Sequence, residues 1–390
     1  MAVNSMALAN EALKFFYLAG LRNQINDANV LLAEMEKNTE SVSGSEIVMA
    51  LKYGRSGGVG NRADTGDMPT SNPRKKKQAK WDTKNVFAHI EITDKTIKAS
   101  RNKQGAFADL LEADLDDAMT DATDSVSRQV FGDGTGVVAT ITTGVTGVTF
   151  TCSGNVDNLS EGQFVDIYDT TLVTNKSTTS REITVVDYDA NTFTVSGANI
   201  TVVNTDKAVV AGSLNEELTG FGAVFTADNT LYGIDRSTNK WFNPHVYALN
   251  GEINEVAIQG RIDEVDKRAG GKTNLLSGSH GVRRAYQNLL VATKQTVDVM
   301  SLKGGYTALK YNNMPFTVDK YNPKQTLYGL DMTTWKNYHM GDWDWMEDGG
   351  GGILHLMTNK AQFEATLAKY QDLGCDKPRG NWKMTGITEH

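Results

Sequence analysis

The fold is decided by residues 54–80, which read GRSGGVGNRADTGDMPTSNPRKKKQAK. Five glycines keep this backbone flexible, and two of the six prolines in the chain remove backbone donors. The segment therefore cannot form a helix or a central strand, and we predict a loop or the tip of a long open hairpin. An enzyme rarely carries so long an irregular, basic stretch early in a compact domain. A subunit that reaches over its neighbours in an assembly would need one.

The charge of the chain is unevenly distributed. Residues 52–84 contain nine Lys or Arg and three Asp, a local balance of +6, while the whole chain carries −8, so the remainder carries −14. This asymmetry suits self-association in which a basic segment lies on an acidic body. The PRKKKQAK run could bind nucleic acid. However, no aromatic residue interleaves its charges before Trp81, so contact with an acidic neighbouring subunit is favoured.

Length and composition indicate a globular protein of 390 residues, enough for two or three domains, with 39% hydrophobic residues. Cys152 and Cys375 are the only cysteines and lie far apart, which disfavours a structural zinc site and fits a reducing cytoplasm. No apolar run approaches the roughly 20 residues of a membrane span, and we predict neither a signal peptide nor a membrane partner.

A strand and a long helix are predicted directly after the basic segment. In KNVFAHIEIT (84–93), apolar residues alternate and predict a strand with one buried face. From residue 102 to 131 the period changes to 3.6, with Asn102 as the expected cap and acidic residues on the other faces. The apolar stripe consists of Phe107, Leu111, Leu115, Ala118, Ala122 and Val126. We expect an amphipathic helix of about thirty residues, roughly 45 Å long.

Residues 1–50 contain one amphipathic pattern, in which Leu8, Ala12, Phe15 or Phe16, and Ala19 recur at helical spacing. An exposed docking arm and an ordinary packed first helix both fit this pattern. A second short helical piece is expected around Leu31–Met35.

The segment 136–212 is rich in Thr and Val and is punctuated by SGN, DAN and SGA turns. Such regularly spaced short strands predict a small β-barrel or sandwich, which we interpret as an inserted domain. After residue 215, helices are expected near 252–270 and 281–294, with a buried strand between them and further strands from residue 314 onward. AQFEATLAKY (361–370) fits a strand or a helix.

No motif in the chain predicts catalysis, a cofactor or a metal. GGKT (270–273) has Asp266 where a phosphate loop needs glycine, and DYDAN (187–191) lacks the later glycine and glutamate of a calcium loop. The six His residues are scattered through the sequence. In GDWDWMED, alternation puts Asp342 and Asp344 on one strand face, where they could hold a cation, although a solvated face is the simpler interpretation.

The order of these parts resembles the major capsid proteins of tailed bacteriophages. The resemblance is carried by GRSGGVG…MPTSNP, TIKASRNKQGAFADLL, NNMPFTVDKYNPKQTLYGLDMTTW and YQDLGCDKPRGNWKMTGI, and it covers nearly the whole chain except 136–212. It implies an α+β protein with the tailed-phage capsid fold and an all-β insertion domain.

The resemblance also implies a division of the chain. Its parts would be an N-terminal arm (1–50), an extended loop crossing a neighbouring subunit (51–85), a peripheral domain with a spine helix (86–135), the inserted β domain (136–212), an axial domain (213–312), peripheral strands (313–360) and a return to the axial domain (361–390). The expected inter-subunit contact residues are Arg74, Lys75, Lys76, Lys77, Lys80, Phe15 and Phe16. Some members crosslink a loop lysine to an asparagine of the next subunit; Asn359 or Asn381 would be the partner here, but nothing identifies a catalytic carboxylate.

The function implied by the resemblance is non-enzymatic: self-assembly into hexamers and pentamers that form an icosahedral head around double-stranded DNA. The partners would be other copies of the chain, a separate scaffolding protein, a portal and a decoration protein. The location would be the virion, after assembly in the cytoplasm of the host bacterium. Two other classes stay open: a hydrolase with an accessory β domain, acting through Asp342 and Asp344, and another virion interaction protein such as a tail component.

Overall fold

The computed structural model describes residues 29–95, 104–153, 156–292, 299–301, 307–347 and 352–390. The architecture is α+β, as predicted, with two large sheets and one closed barrel. No helix within these ranges is both long enough and apolar enough to cross a membrane.

The N-terminal part contains the predicted strand and the predicted long helix. Its elements are α1 (Val30–Glu34), β1 (Glu36–Asn38), β2 (Val42–Ser43), β3 (Glu46–Lys52), β4 (Lys76–Asp82), β5 (Lys84–Thr93) and α2 (Gln104–Phe131). Strand β5 buries Val86, Ile90 and Ile92 on one face, which confirms the alternation. Helix α2 buries Leu115 and Val126, which confirms the described part of its stripe. The expected cap Asn102 and the side chains of Phe107 and Leu111 lie outside the described residues.

The segment 136–212 contains eight strands. They are β6 (Val137–Ile141), β7 (Val145–Gly147), β8 (Thr149–Ser153), β9 (Phe164–Tyr168), β10 (Arg181–Asp187), β11 (Thr192–Val195), β12 (Ile200–Val202) and β13 (Lys207–Val210). Six of them close a barrel in the order β10-β11-β8-β6-β13-β9, and β7 pairs with β12 beside it. Phe150 and Phe193 meet in its interior with ring centroids 5.5 Å apart. The barrel has its own apolar core, separate from the two cores of the body.

The C-terminal part contains three helices and thirteen strands among the described residues. The helices are α3 (Phe221–Val224), α4 (Glu255–Ala269) and α5 (His280–Ala292). The strands are β14 (Thr230–Leu231), β15 (Ile234–Asp235), β16 (His245–Gly251), β17 (Leu275–Gly278), β18 (Val299–Ser301), β19 (Thr307–Tyr311), β20 (Met314–Val318), β21 (Leu327–Leu330), β22 (Trp335–His339), β23 (Asp344–Trp345), β24 (His355–Leu356), β25 (Gln362–Cys375) and β26 (Trp382–Ile387). Short 3₁₀ turns lie at Val156–Asn158, Lys240–Phe242, Met332–Thr334 and Pro378–Gly380.

A seven-stranded sheet packs against α4 and α5 in the order β16-β26-β21-β17-β20-β19-β18. Strands β20 and β21, which lie in the range 313–360 expected to be peripheral, both pair directly with β17 in this sheet. The reason is packing: Phe316 and Leu327 are buried beside Leu276 in the core that the two helices cover.

A six-stranded sheet is built around β25, which pairs with β5 over ten residues and with β22, β23 and β24 along its other edge. The range 361–390, expected to return to the axial domain, is thus divided between the two sheets, since β25 lies in the six-stranded sheet and β26 in the seven-stranded one. The ambiguous segment 361–370 is mostly strand, since Ala365 and Leu367 are buried on its inward face. The expected flexible EDGGGG tip lies mostly outside the described residues.

The chain enters and leaves the barrel through two adjacent connectors. The amide of Asn215 donates to the carbonyl of Thr135 (3.1 Å), and the amide of Gly222 donates to the carbonyl of Gly132 (2.9 Å). At the end of α2, Arg128 forms a buried ion pair with Glu217. The exit connector is thus fastened to the helix that precedes the barrel.

Gly220 is the position where this junction is tightest. A Cβ at residue 220 would overlap the carbonyl oxygens of Gln129 and Val130, which are backbone atoms and cannot rotate away. We expect Gly220→Ala to lower the free energy of unfolding by about 1–3 kcal/mol in urea denaturation. The matched control is Gly260→Ala within α4, where nothing lies within 4 Å of the new methyl group. This control should stabilise the protein by about 0.5–1 kcal/mol; equal effects at both sites would contradict the close-packing argument.

Candidate assembly interface

The basic segment is a long hairpin whose root is fixed to the body. Strands β3 and β4 pair from Glu46↔Asp82 to Lys52↔Lys76. Tyr53 stacks on Trp241 with centroids 4.6 Å apart, and Trp81 lies 4.1 Å from the ring of Tyr232. Sequence reasoning missed these aromatic contacts, because each joins positions far apart in the chain.

Beyond this root, residues 53–75 form a loop without regular strands, in agreement with the predicted hairpin tip. Among the described residues, segment 55–73 forms hydrogen bonds only within itself, such as the Gly66 amide to the Ala63 carbonyl (2.9 Å). Its apolar side chains Val59 and Met68 are 91% and 87% exposed. The described residues of the subunit therefore give this loop no packing partner outside itself.

The five basic contact candidates separate into two groups. Arg74, Lys75 and Lys76 are exposed. Lys77 Nζ instead donates to Asn239 Oδ1 at 3.2 Å, and Lys80 lies 3.6 Å from Glu46 across the hairpin. Lys77 and Lys80 thus already have partners within the subunit, which the sequence pattern did not indicate. The other two candidates, Phe15 and Phe16, lie outside the described residues.

The first described residues of the chain, 29–35, are packed on the body. Asn29 caps α1 by accepting from the Leu31 amide (2.9 Å), and its Nδ2 donates to Asp319 Oδ2 (2.7 Å). Leu31 and Leu32 are buried in the main core, as expected of a second short helical piece. Burial raises the pKa of the Asp319 carboxyl to about 6.

Asp342 and Asp344, the two carboxylates considered for catalysis, accept hydrogen bonds from the backbone of the subunit. Asp342 and Asp344 each accept from the amide of the next residue, a buried tryptophan, at 2.9 and 3.0 Å. Asp342 also lies 3.4 Å from the Nζ of the buried Lys369, whose pKa is lowered to about 8 by burial. In the part of the chain that the structure describes, no three His, Cys, Asp or Glu side chains are placed to hold a metal ion.

The two cysteines and Asn381, one of the two crosslinking candidates, are buried inside the subunit. Cys152 and Cys375 are both buried free thiols, and burial raises the pKa of Cys152 to about 12. Asn381 is wrong as a crosslinking partner because it is fully buried. Its Oδ1 accepts from the Asp331 amide (2.7 Å) and from Trp335 Nε1 (3.1 Å). Asn359 lies in an exposed turn with φ of 62°.

Comparison with solved structures finds chains with a similar fold. The capsid asymmetric unit of cyanophage A-1(L) matches with a TM-score of 0.58 and 12% sequence identity, covering 93% of both chains. The capsid of a native GTA particle matches at a TM-score of 0.48 and 8% identity over 92% of this chain and 90% of the other. An encapsulin complex from Synechococcus elongatus matches at 0.44 and 9% identity over 92% and 89%. No family model and no curated protein matches the sequence.

The likeness to the cyanophage chain covers 93% of both chains, so it concerns most of the architecture. The chain has the fold of a phage capsid subunit, as the resemblance implied.

Proposed function

We propose that this chain is the major capsid protein of a tailed bacteriophage. It assembles into hexamers and pentamers that form an icosahedral head around double-stranded DNA. The observation that carries the proposal is the full-length structural match to a cyanophage capsid subunit. The exposed hairpin loop, which has no partner among the described residues of its own subunit, supports it from an independent direction.

The shell is held together by many modest interfaces repeated by symmetry, each within the range of ordinary protein contacts. The hairpin crosses onto a neighbouring subunit, where Arg74, Lys75 and Lys76 make electrostatic contacts with an acidic surface. The barrel is an inserted domain that stabilises the subunit or decorates the shell. The chain acts as a structural component of the virion and has no enzymatic role.

Further partners follow from this function. A separate scaffolding protein guides assembly in the cytoplasm of the host bacterium, a portal occupies one vertex, and a decoration protein can bind the outer surface. The packaged DNA is contacted without sequence specificity, since phosphate contacts carry no sequence information.

Mass photometry and sedimentation of the purified full chain test the proposal. We expect rings of five and six copies at rising protein concentration, with larger particles sedimenting ahead of them. A chain that stays a compact monomer at every concentration, with or without a scaffolding partner, would contradict it.

A further inference from the structure

Two open clefts separate the barrel from the body of the subunit. The first has a volume of about 440 Å³ and lies between the barrel and the start of helix α5. The second has a volume of about 420 Å³ and lies between the barrel and helix α2. Ser160 of the barrel lines both, so the clefts are adjacent. The barrel therefore has space to move in either direction.

The walls of the first cleft carry opposite charges. Its charged lining residues are Asp157 from the barrel and Arg284, Lys320, Lys324 and Glu389 from the body. Lys324 Nζ lies 3.1 Å from Asp157 Oδ2, and both side chains are partly exposed. Glu389 already accepts from the backbone amide of Gln325 at 2.6 Å. The basic wall of the body therefore attracts the acidic wall of the barrel across this cleft.

The second cleft contains an excess of negative charge. Its acidic lining residues are Glu161 from the barrel and Asp121 and Asp124 from α2. Lys320 offsets one of these charges, since its Nζ lies 3.3 Å from Asp124 Oδ2. Arg128 also lines the cleft, but it is paired with the buried Glu217. The remaining like charges repel each other, so α2 disfavours a closer approach of the barrel on this side.

The connectors between the barrel and the body can act as a hinge. Gly134 on the entry side and Gly212 on the exit side have φ angles of 84° and 72°, which glycine adopts without strain. Nothing lies within 4 Å of a Cβ built on Gly212. The barrel has an apolar core of its own, so it can rotate as one body while its strands stay paired.

We propose that the barrel is a swinging domain whose lean is set by charge. It leans toward α5 while the opposite charges of the first cleft attract each other, and toward α2 when that attraction is removed. The Lys324–Asp157 pair spans the first cleft, and an exposed pair of this kind is weak and screened by salt. The position of the barrel therefore responds to ionic strength. The inference goes beyond the proposed function, because it concerns motion within one subunit.

Two disulfide traps measure the lean, because both native cysteines are buried and do not compete. The first trap, Tyr188→Cys with His280→Cys, joins the walls of the first cleft. The second trap, Gln163→Cys with Ser125→Cys, joins the walls of the second. A disulfide needs Cα atoms within about 7 Å, so its rate of formation in the full chain reports how often each cleft closes. We expect the first trap to close faster than the second.

A charge reversal should move the two rates in opposite directions. Asp157→Lys replaces attraction across the first cleft by repulsion, so the first rate should fall about ten-fold and the second should rise by a similar factor. Molar salt should reduce the difference between the two traps in the unmodified background. The matched control is Glu182→Lys, which changes the charge of the barrel equally at an exposed position that lines neither cleft. It should leave both rates unchanged.

The reciprocal response distinguishes a swinging barrel from local damage. A substitution that only loosens the fold changes both rates in the same direction, and the thermal unfolding midpoint of each reduced variant shows whether the fold is kept. Asp157→Asn removes the charge with little change of shape, so it should shift the two rates in the same opposite directions by a smaller factor. Parallel changes in both traps, equal rates in every background, or no disulfide in either trap would overturn the proposal.

Discussion

Replacement of residues 54–74 by an Asn-Gly turn should abolish assembly and leave the subunit folded. The replaced residues bury little surface in the subunit, and among the described residues their side chains form no hydrogen bond to the body. The two-residue turn keeps Tyr53 on Trp241 and closes the hairpin in its present register. Because a shorter loop costs less entropy to close, the free energy of unfolding should stay constant or rise by about 1–2 kcal/mol.

The readouts are particle yield by sedimentation and the thermal unfolding midpoint of the unassembled subunit. A control replaces the loop by a Gly/Ser segment of equal length, which keeps its reach but removes Val59, Met68 and the arginines. This control should also fail to assemble, because it has the length of the loop but lacks the side chains that make the contact. Normal shells from either variant would show that the loop is not part of the interface.

Removal of one partner of the Arg128–Glu217 ion pair should cost about 3–5 kcal/mol of stability. Arg128 is 8% exposed and Glu217 is 4% exposed, with Nη1 and Oε2 3.0 Å apart. Arg128→Met leaves a carboxylate buried, and Glu217→Leu leaves a guanidinium buried. The double variant leaves neither charge, so it should be much closer to the unmodified chain than the sum of the two losses. Urea denaturation of all four proteins measures this coupling.

The matched control is the exposed pair formed by Lys240 and Asp228, for which the same cycle should give no more than about 1 kcal/mol. Additive effects for Arg128 and Glu217, or single losses no larger than those of the control, would contradict the view that this pair locks the exit connector of the barrel to α2.

The parts of the fold that depend on local patterns could be predicted from the sequence. The alternation in β5 and the 3.6-residue period in α2 indicate which side chains are buried. Such patterns are visible in the sequence even when the surface that the strand or helix packs against is unknown. The glycines and prolines of 54–74 likewise exclude regular structure by their own backbone properties. The barrel strands could be recognised for the same reason, since short Thr- and Val-rich runs between turns have few alternatives.

Sheet membership could not be predicted in the same way. No local pattern in β20, β21 or β25 indicates which sheet each joins, and only their long-range pairing with β17 or β5 decides where they lie. The same limit applies to single residues. Asn381 looks like a surface asparagine in the sequence, but backbone and tryptophan donors from Asp331 and Trp335 surround it. The exposure of Phe87 and Tyr370 also becomes visible only when β5 and β25 are paired.

Electron microscopy of the expressed full chain, with a scaffolding partner supplied if needed, shows whether this chain builds a closed shell. We predict closed icosahedral particles or capsomer rings in which the hairpin of each subunit contacts a neighbouring subunit. A uniform population of compact monomers with an unattached hairpin would contradict the proposed function.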